Sequence, residues 1–161
     1  MKRFLLGLFV AVFAITLGGC FGDPVKSDIE DYIKVDNAVS TKYSAQFMND
    51  FQRKMSMARS PEDVQKALGE FQVVLADIQK QYGALKPKSE EMKPLVGKVQ
   101  SGLALMIEAM NDIDEAMKTQ DQAKIMSVFD KINKASTDVN TAENAIIKLA
   151  NDKGMKIQKL R

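Results

Sequence analysis

Among side chains that ordinarily carry chemistry, the sequence holds one cysteine, Cys20, and no histidine. Without imidazole there are no Glu-x-x-His pairs of the di-iron bundles, no histidine-ligated haem and few routes to zinc. Ser-His and Cys-His nucleophile pairs go with them, and no Cys-x-x-Cys-His is present to attach haem covalently. Two thinner options remain. Thioethers bind cuprous copper, and Met106 and Met110 are one helical turn apart while Met48, Met55 and Met57 lie together. However, Met106, Met110 and Met117 fall on an apolar helical seam, where methionine fills irregular space. A Ser-Lys dyad would need Ser101 or Ser136, which lie on helix faces among lysines and show no sign of an activated nucleophile. The expectation is therefore no catalytic residue, no metal ligand and no cofactor. Cys20 is the exception to a chemically quiet sequence, and as a lone thiol it cannot form a disulfide within the chain.

Cys20 closes an apolar run that follows Met1-Lys2-Arg3 and ends in Leu17-Gly18-Gly19-Cys20. A positive start, a short apolar stretch and small residues before a cut are the layout of an export signal. A transmembrane span would need about 20 apolar residues to cross roughly 30 Å of hydrocarbon, and the run from Phe4 to Leu17 is too short. The chain resembles a bacterial lipoprotein precursor through Leu17-Gly18-Gly19-Cys20. The resemblance implies that the Cys20 thiol receives a diacylglycerol, that signal peptidase II cuts between Gly19 and Cys20, and that the new amine of Cys20 is acylated. In the same family, an aspartate directly after the cysteine retains the protein at the inner membrane of many Gram-negative bacteria. Phe21 stands there instead, which for a Gram-negative source implies the outer membrane, facing the periplasm.

Removing residues 1–19 from 161 leaves 142, enough for one domain with its own core. Charged residues make up 27% and apolar ones 45%, ordinary globular proportions. Lysine and arginine number 23 against 21 acidic residues, and Lys2 and Arg3 leave with the signal. The processed chain is thus balanced, without the sustained positive field that nucleic-acid binding requires. No nucleic-acid partner is expected.

The rest of the sequence has to position whatever Cys20 anchors, and its apolar spacing is helical throughout. Residues 20–27, with Gly22 and Pro24, suggest a short tether. Ser27-Asp28-Ile29-Glu30 has the form of a capping box, placing the start of a first helix near Asp28 and its end near Met57. Ser60-Pro61-Glu62-Asp63 marks a second start. Val64, Leu68, Phe71, Leu75, Ile78, Tyr82 and Leu85 then follow at alternating intervals of four and three, the seam of a coiled coil or long bundle. The third helix carries Val96, Val99, Leu103, Met106, Met110, Ile113 and Met117. Pro94 makes its start ambiguous: it begins near Ser89 and bends, or begins at Lys93. Thr119 or Asp121 caps the fourth helix, whose seam would be Ile125, Phe129, Ile132, Ser136, Val139, Ala142, Ile146 and Leu149. The small pair Ser136 and Ala142 admits either close helix approach or a gap. Gly154 is placed to end the helix.

Short connections between such rods give an all-α fold, an antiparallel up-down-up-down four-helix bundle over 28–152 with heptad-spaced seams. A three-helix domain with the first helix packed separately, and dimerising helical hairpins, are the alternatives. The tail 153–161 mixes Lys153, Lys156, Lys159 and Arg161 with Met155, Ile157 and Leu160, and is expected at the membrane-proximal end, either solvated or against anionic headgroups. The function expected is that of a lipid-anchored, non-enzymatic helical bundle of the bacterial envelope, binding a protein partner as scaffold, assembly accessory or inhibitor. A carrier or sensor of a small apolar ligand held between helices is the alternative, and a hydrolase comes last.

Overall fold

In a computed structural model describing residues 12–15, 22–43, 45–119 and 121–160, the first helix, α1 (Pro24–Lys42), begins four residues before the expected Asp28. Asp23 is the reason. Its carboxylate accepts the Val25 N–H at 2.9 Å, and Pro24 supplies a preset φ at the first helical position, where no N–H is needed. Ser27 consequently lies inside the helix, its own N–H bonded to the Asp23 carbonyl at 3.2 Å. The expected capping box is not the start, and the tether shortens accordingly.

The first rod is also not continuous. It breaks after Lys42, with Tyr43 at φ −118° and ψ 63°, and resumes as α2 (Ala45–Met57). No glycine or proline marks the place. Side-chain ties to the next helix, α3 (Pro61–Gly83), converge there instead. Tyr43 Oη donates to Asp77 Oδ2 at 2.7 Å, Lys42 Nζ reaches the same oxygen at 3.1 Å, and Phe47 then stacks on Phe71.

The later boundaries follow local chemistry. At α3, the Ser60 hydroxyl accepts the Asp63 N–H at 3.2 Å and the Asp63 carboxylate accepts the Ser60 N–H at 3.2 Å, a complete capping box. The next helix, α4 (Met92–Thr119), holds Pro94 within its first turn, where the backbone N–H has no partner to lose. Asp121 rather than Thr119 caps α5 (Gln122–Asp152), accepting from Ala123 and Lys124, while the Thr119 hydroxyl bonds back to the Glu115 carbonyl. Gly154 takes φ 73°, and the Met155 N–H closes on the Ala150 carbonyl at 2.9 Å. Beyond it, in the unprocessed chain, the tail forms a short strand, β2 (Ile157–Leu160), antiparallel to β1 (Val12–Ile15), with Ile15 opposite Ile157 and Val12 opposite Leu160; β1 belongs to the residues that cleavage before Cys20 would remove. Apart from this terminal pairing the described elements are helical, as the apolar spacing implied.

Cross-helix pairs fix the registers. Numbers on α3 fall as those on α1 and α2 rise: Asp36 meets Tyr82, Tyr43 meets Asp77, and Lys54 pairs with Glu70. Gln100 bonds the Tyr82 carbonyl and Gln72 that of Met110, so α4 runs antiparallel to α3. Lys98 pairs with Asp138, Lys131 with Glu108 and Asp112, and Lys124 with Glu115, so α5 is antiparallel to α4. The core divides into a proximal cluster around Ile29, Tyr32, Ile78, Val99 and Ile146, and a distal one around Phe51, Phe71, Leu75, Met106 and Met110.

The fourth seam is displaced at its start. Val128 and Ala135 are buried where Phe129 and Ser136 were expected, although Val139, Ala142 and Ile146 hold their places. A straight helix of 3.6 residues per turn drifts about 20° per heptad against a strict seven-residue repeat, and one register cannot face a neighbour throughout α5. Between and beside the small residues Ser136 and Ala142, at Val139 and Ala135, the crossing with α4 is close. A Cβ added to Gly102 would lie 2.6 Å from Val139 Cγ2 and 3.1 Å from the Ala135 carbonyl oxygen.

Gly102→Ala should therefore lower stability even though alanine favours a helix by about 1 kcal/mol. Val139 is stiff at χ1 and the Ala135 oxygen is backbone, so neither yields cheaply. Overpacking costs typically about 1–3 kcal/mol. A lowered urea midpoint at unchanged slope is expected; a raised midpoint would show that α4 and α5 have room to part.

Candidate functional site

The anticipated modification residues, Gly19 and Cys20, lie outside the described residues together with Phe21, and description resumes at Gly22. Asp23 binds both the α1 backbone and Lys153 Nζ, at 3.0 Å, tying the end of α5 to the start of α1. The Lys153 hydrogen bond is the main reason the Asp23 carboxyl sits below its ordinary value. One turn on, Asp28 is buried and reaches across to the connection between α3 and α4. It accepts the Lys88 N–H at 2.9 Å, the Ser89 N–H at 2.7 Å and the Ser89 hydroxyl at 2.6 Å. Burial pushes the Asp28 carboxyl up, but the bonds from Ser89 and Lys88 outweigh it and leave it below its ordinary value. Three chain segments are thereby fixed together at the proximal end.

A buried polar cluster lies one layer deeper. Tyr82 Oη donates to Asp36 Oδ1 at 2.6 Å, and the Tyr32 ring packs on Tyr82 at 5.7 Å between centroids. Burial holds both phenols far above their ordinary value, and Glu143 of α5 adds to this electrostatically. Neutral phenols beside a carboxylate fix the registers of α1 and α3. They do not resemble a catalytic pair, and among the described residues no three acidic or thiol side chains converge as a metal would require.

The remaining candidates separate. Met106 and Met110 are buried in the distal cluster, as seam residues, and Met55 packs at its edge, whereas Met57 is exposed. The side chains of Met48 and Met117 are outside the described residues. The Ser101 hydroxyl donates to the Gly97 carbonyl at 2.9 Å, and Ser136 accepts from Asn140. No role was expected of Asp36 or Asp77, and Asp28 stood only in the expected helix start. Asp36 had a visible signal, a carboxylate four residues after Tyr32 on the apolar face. Asp28 and Asp77 had none, because their partners lie far away in sequence.

Opposite the Asp23 end, apolar surface is left uncovered. On α5, Met126 is 61% and Phe129 49% exposed, one turn apart on one side of the helix. Met57 is uncovered at the end of α2, beside an open groove of about 420 Å³ bounded by Arg53, Lys54, Asp63 and Lys66. The groove's walls are tied by the Lys54–Glu70 ion pair, and the Arg59 and Ser60 N–H groups hold the Asp63 carboxyl below its ordinary value. Single exposed apolar residues are common on any protein, and Val73 midway along α3 is one, so the notable feature is the placing of Met57, Met126 and Phe129 at one end.

The model of one protein family, uncharacterised lipoprotein PM1805, matches residues 28–152. The chain belongs to this family. No curated protein and no solved structure matches. Membership in a lipoprotein family points to a membrane-anchored envelope protein, and the match runs from the second turn of α1 to the last residue of α5. No helix among the described residues is long and apolar enough to cross a membrane.

The carboxylates give this lipoprotein a defined acid response. Hydrogen bonds from Tyr43, then Gln81 and Lys42, hold Asp77 at about 2, against 3.8 for a free aspartate. A depressed carboxylate contributes stability that is complete above its unfolded pKa and is lost as pH falls through the folded one. The Asp77 contribution therefore disappears between about pH 4 and pH 2. Asp77→Asn should melt below the native chain at neutral pH and converge with it near pH 2. A constant difference in melting temperature across that range would remove Asp77 from the account.

Proposed function

We propose that the chain is a lipid-anchored, non-enzymatic helical module of the bacterial envelope that binds a protein partner as scaffold, assembly accessory or inhibitor. In this reading, Cys20 carries the lipid, and α1 with α2 stands as the first of four rods in an up-down-up-down bundle. For a Gram-negative source it is held at the outer membrane and faces the periplasm. The observation that carries the binding role is the Met126–Phe129 face of α5, apolar and uncovered at the end away from the anchor. α3 alone spans about 34 Å at 1.5 Å per residue, so that face is presented well clear of the lipid. The close Gly102–Val139 approach supports packing, rather than an apolar ligand, in the small-residue stretch of α5.

A photo-crosslinking amino acid at Phe129 in intact cells tests this role. A discrete heterologous adduct, absent when the probe sits at exposed Thr141, is the expected result. Equal, diffuse labelling from both positions would sink the binding role.

A further inference from the structure

Three segments far apart in sequence bring lysines to the end that holds Asp23. Lys26 lies in the first turn of α1, Lys86 and Lys88 are exposed on either side of Pro87 in the α3–α4 connection, and Lys156 is exposed just after α5. Asp28 holds the 88–89 backbone against α1, and Asp23 holds Lys153. Some of the acidic residues that would cancel this charge are engaged. Asp23 is paired with Lys153, Asp28 is buried beneath the connection, and Glu90 is paired with Lys93 at 2.5 Å. Glu90, Glu91 and Asp152 are exposed near these lysines and Glu30 is half-buried one turn after Lys26, so the excess of positive charge at this end is small. The tail plays a smaller part than its composition suggests, because Lys153 is spent on Asp23 and Met155 is buried in the proximal cluster.

We propose that the Lys26, Lys86, Lys88 and Lys156 end of the molecule is a docking face for anionic phospholipid headgroups. The proposal rests on the lipid-anchor reading for its geometry. Cys20 is three residues from Asp23, a reach of at most about 11 Å fully extended. α1 starts at Pro24, so little slack remains, and a lipid on Cys20 holds this face at the headgroup layer. Lysines within a Debye length of an anionic surface are attracted to it, and the attraction is screened by salt. The anchor then does more than tether: it sets the rods upright, with the loop 84–91 downward and Met126 and Phe129 outward.

The test uses the acylated protein in vesicles of phosphatidylcholine, with or without phosphatidylglycerol. A spin label goes at Ala84→Cys, exposed at the end of α3, or at Arg59→Cys at the opposite end; acylated Cys20 offers no competing thiol. Accessibility of the Ala84 label to a water-soluble relaxant should fall severalfold in the anionic vesicles only. It should recover in high salt and in the triple variant Lys86→Gln, Lys88→Gln, Lys156→Gln, while the Arg59 label stays unchanged. Equal accessibility at Ala84 in both vesicle types overturns the docking face. If the protein leaves neutral vesicles on alkaline wash, the anchor is what fails. The face is then read by co-flotation with anionic vesicles at low salt, where each Lys→Gln should lower partitioning about fivefold, and no difference from neutral vesicles overturns it.

Discussion

Cys20→Ala is expected to incorporate no lipid, to fail cleavage after Gly19 and to leave the membrane fraction on alkaline wash. One acyl chain gives only marginal, reversible binding, whereas two or three, at about 0.8 kcal/mol per buried methylene, hold essentially without exchange. Loss of the single thiol therefore removes the attachment outright. No helix among the described residues is long and apolar enough to cross a membrane, and the run from Phe4 to Leu17 is short of a span. Residual electrostatic docking through the lysine face would be stripped by high salt, which separates the two contributions. A Cys20→Ala chain that stayed membrane-bound through both washes would refute lipidation at this residue.

How far the sequence disclosed the fold can be judged at particular residues. Ser60-Pro61 was legible, and Asp121 was one of two candidates with Thr119, because a cap acts within one turn and its partners are neighbours in the chain. Asp23-Pro24 obeys the same local rule as Ser60-Pro61, and was masked by the equally well-formed box at Ser27, which the helix overran. The break at Tyr43 had no glycine or proline to signal it, and the bonds found beside it run to Asp77 on another helix. Asp28 is similar, a helix-surface residue in sequence whose burial is decided by a loop sixty residues on. In α5 the heptad count failed at Phe129 and Ser136, where the helix follows α4 alone, and held from Val139 onward, where it also joins the proximal cluster. The strand pairing of Ile157–Leu160 depends on residues at the other end of the chain, which no spacing rule reaches.

What the broken first rod means for the distal end turns on α2. Among the described residues, no Cα of α2 lies within 8 Å of α4 or α5. α2 is held to the body through α3, chiefly by aromatic rings: Phe51 stacks on Phe71 at 4.5 Å and Phe47 at 6.2 Å. The proximal half has no such dependence, since α1 contacts α3, α4 and α5. α2 is thus the element whose order depends on its packing against a single neighbour, α3.

Phe71→Ala should accordingly release α2 while leaving the rest of the fold in place. Phe71 is 1% exposed, and truncating a fully buried phenylalanine costs about 3–5 kcal/mol. That is a large part of the roughly 5–15 kcal/mol available to a domain. The loss should be felt unevenly, because removing the ring leaves Phe47 and Phe51 without their stacking surface, whereas Ile29, Ile33, Val99 and Ile146 keep theirs. Native-state hydrogen exchange is the measurement. Amides of residues 45–57 should approach unprotected rates while those of 96–110 and 139–150 stay protected, with Phe71→Leu restoring part of the difference. Uniform loss of protection along all helices would show that α2 folds as one unit with the others. The same variant bears on partner binding. A freed α2 removes the Arg53, Lys54 and Met57 wall of the distal groove but leaves Met126 and Phe129 on α5. An adduct at Phe129 that survives Phe71→Ala confines the partner to α5, and one that vanishes shows that the partner spans both.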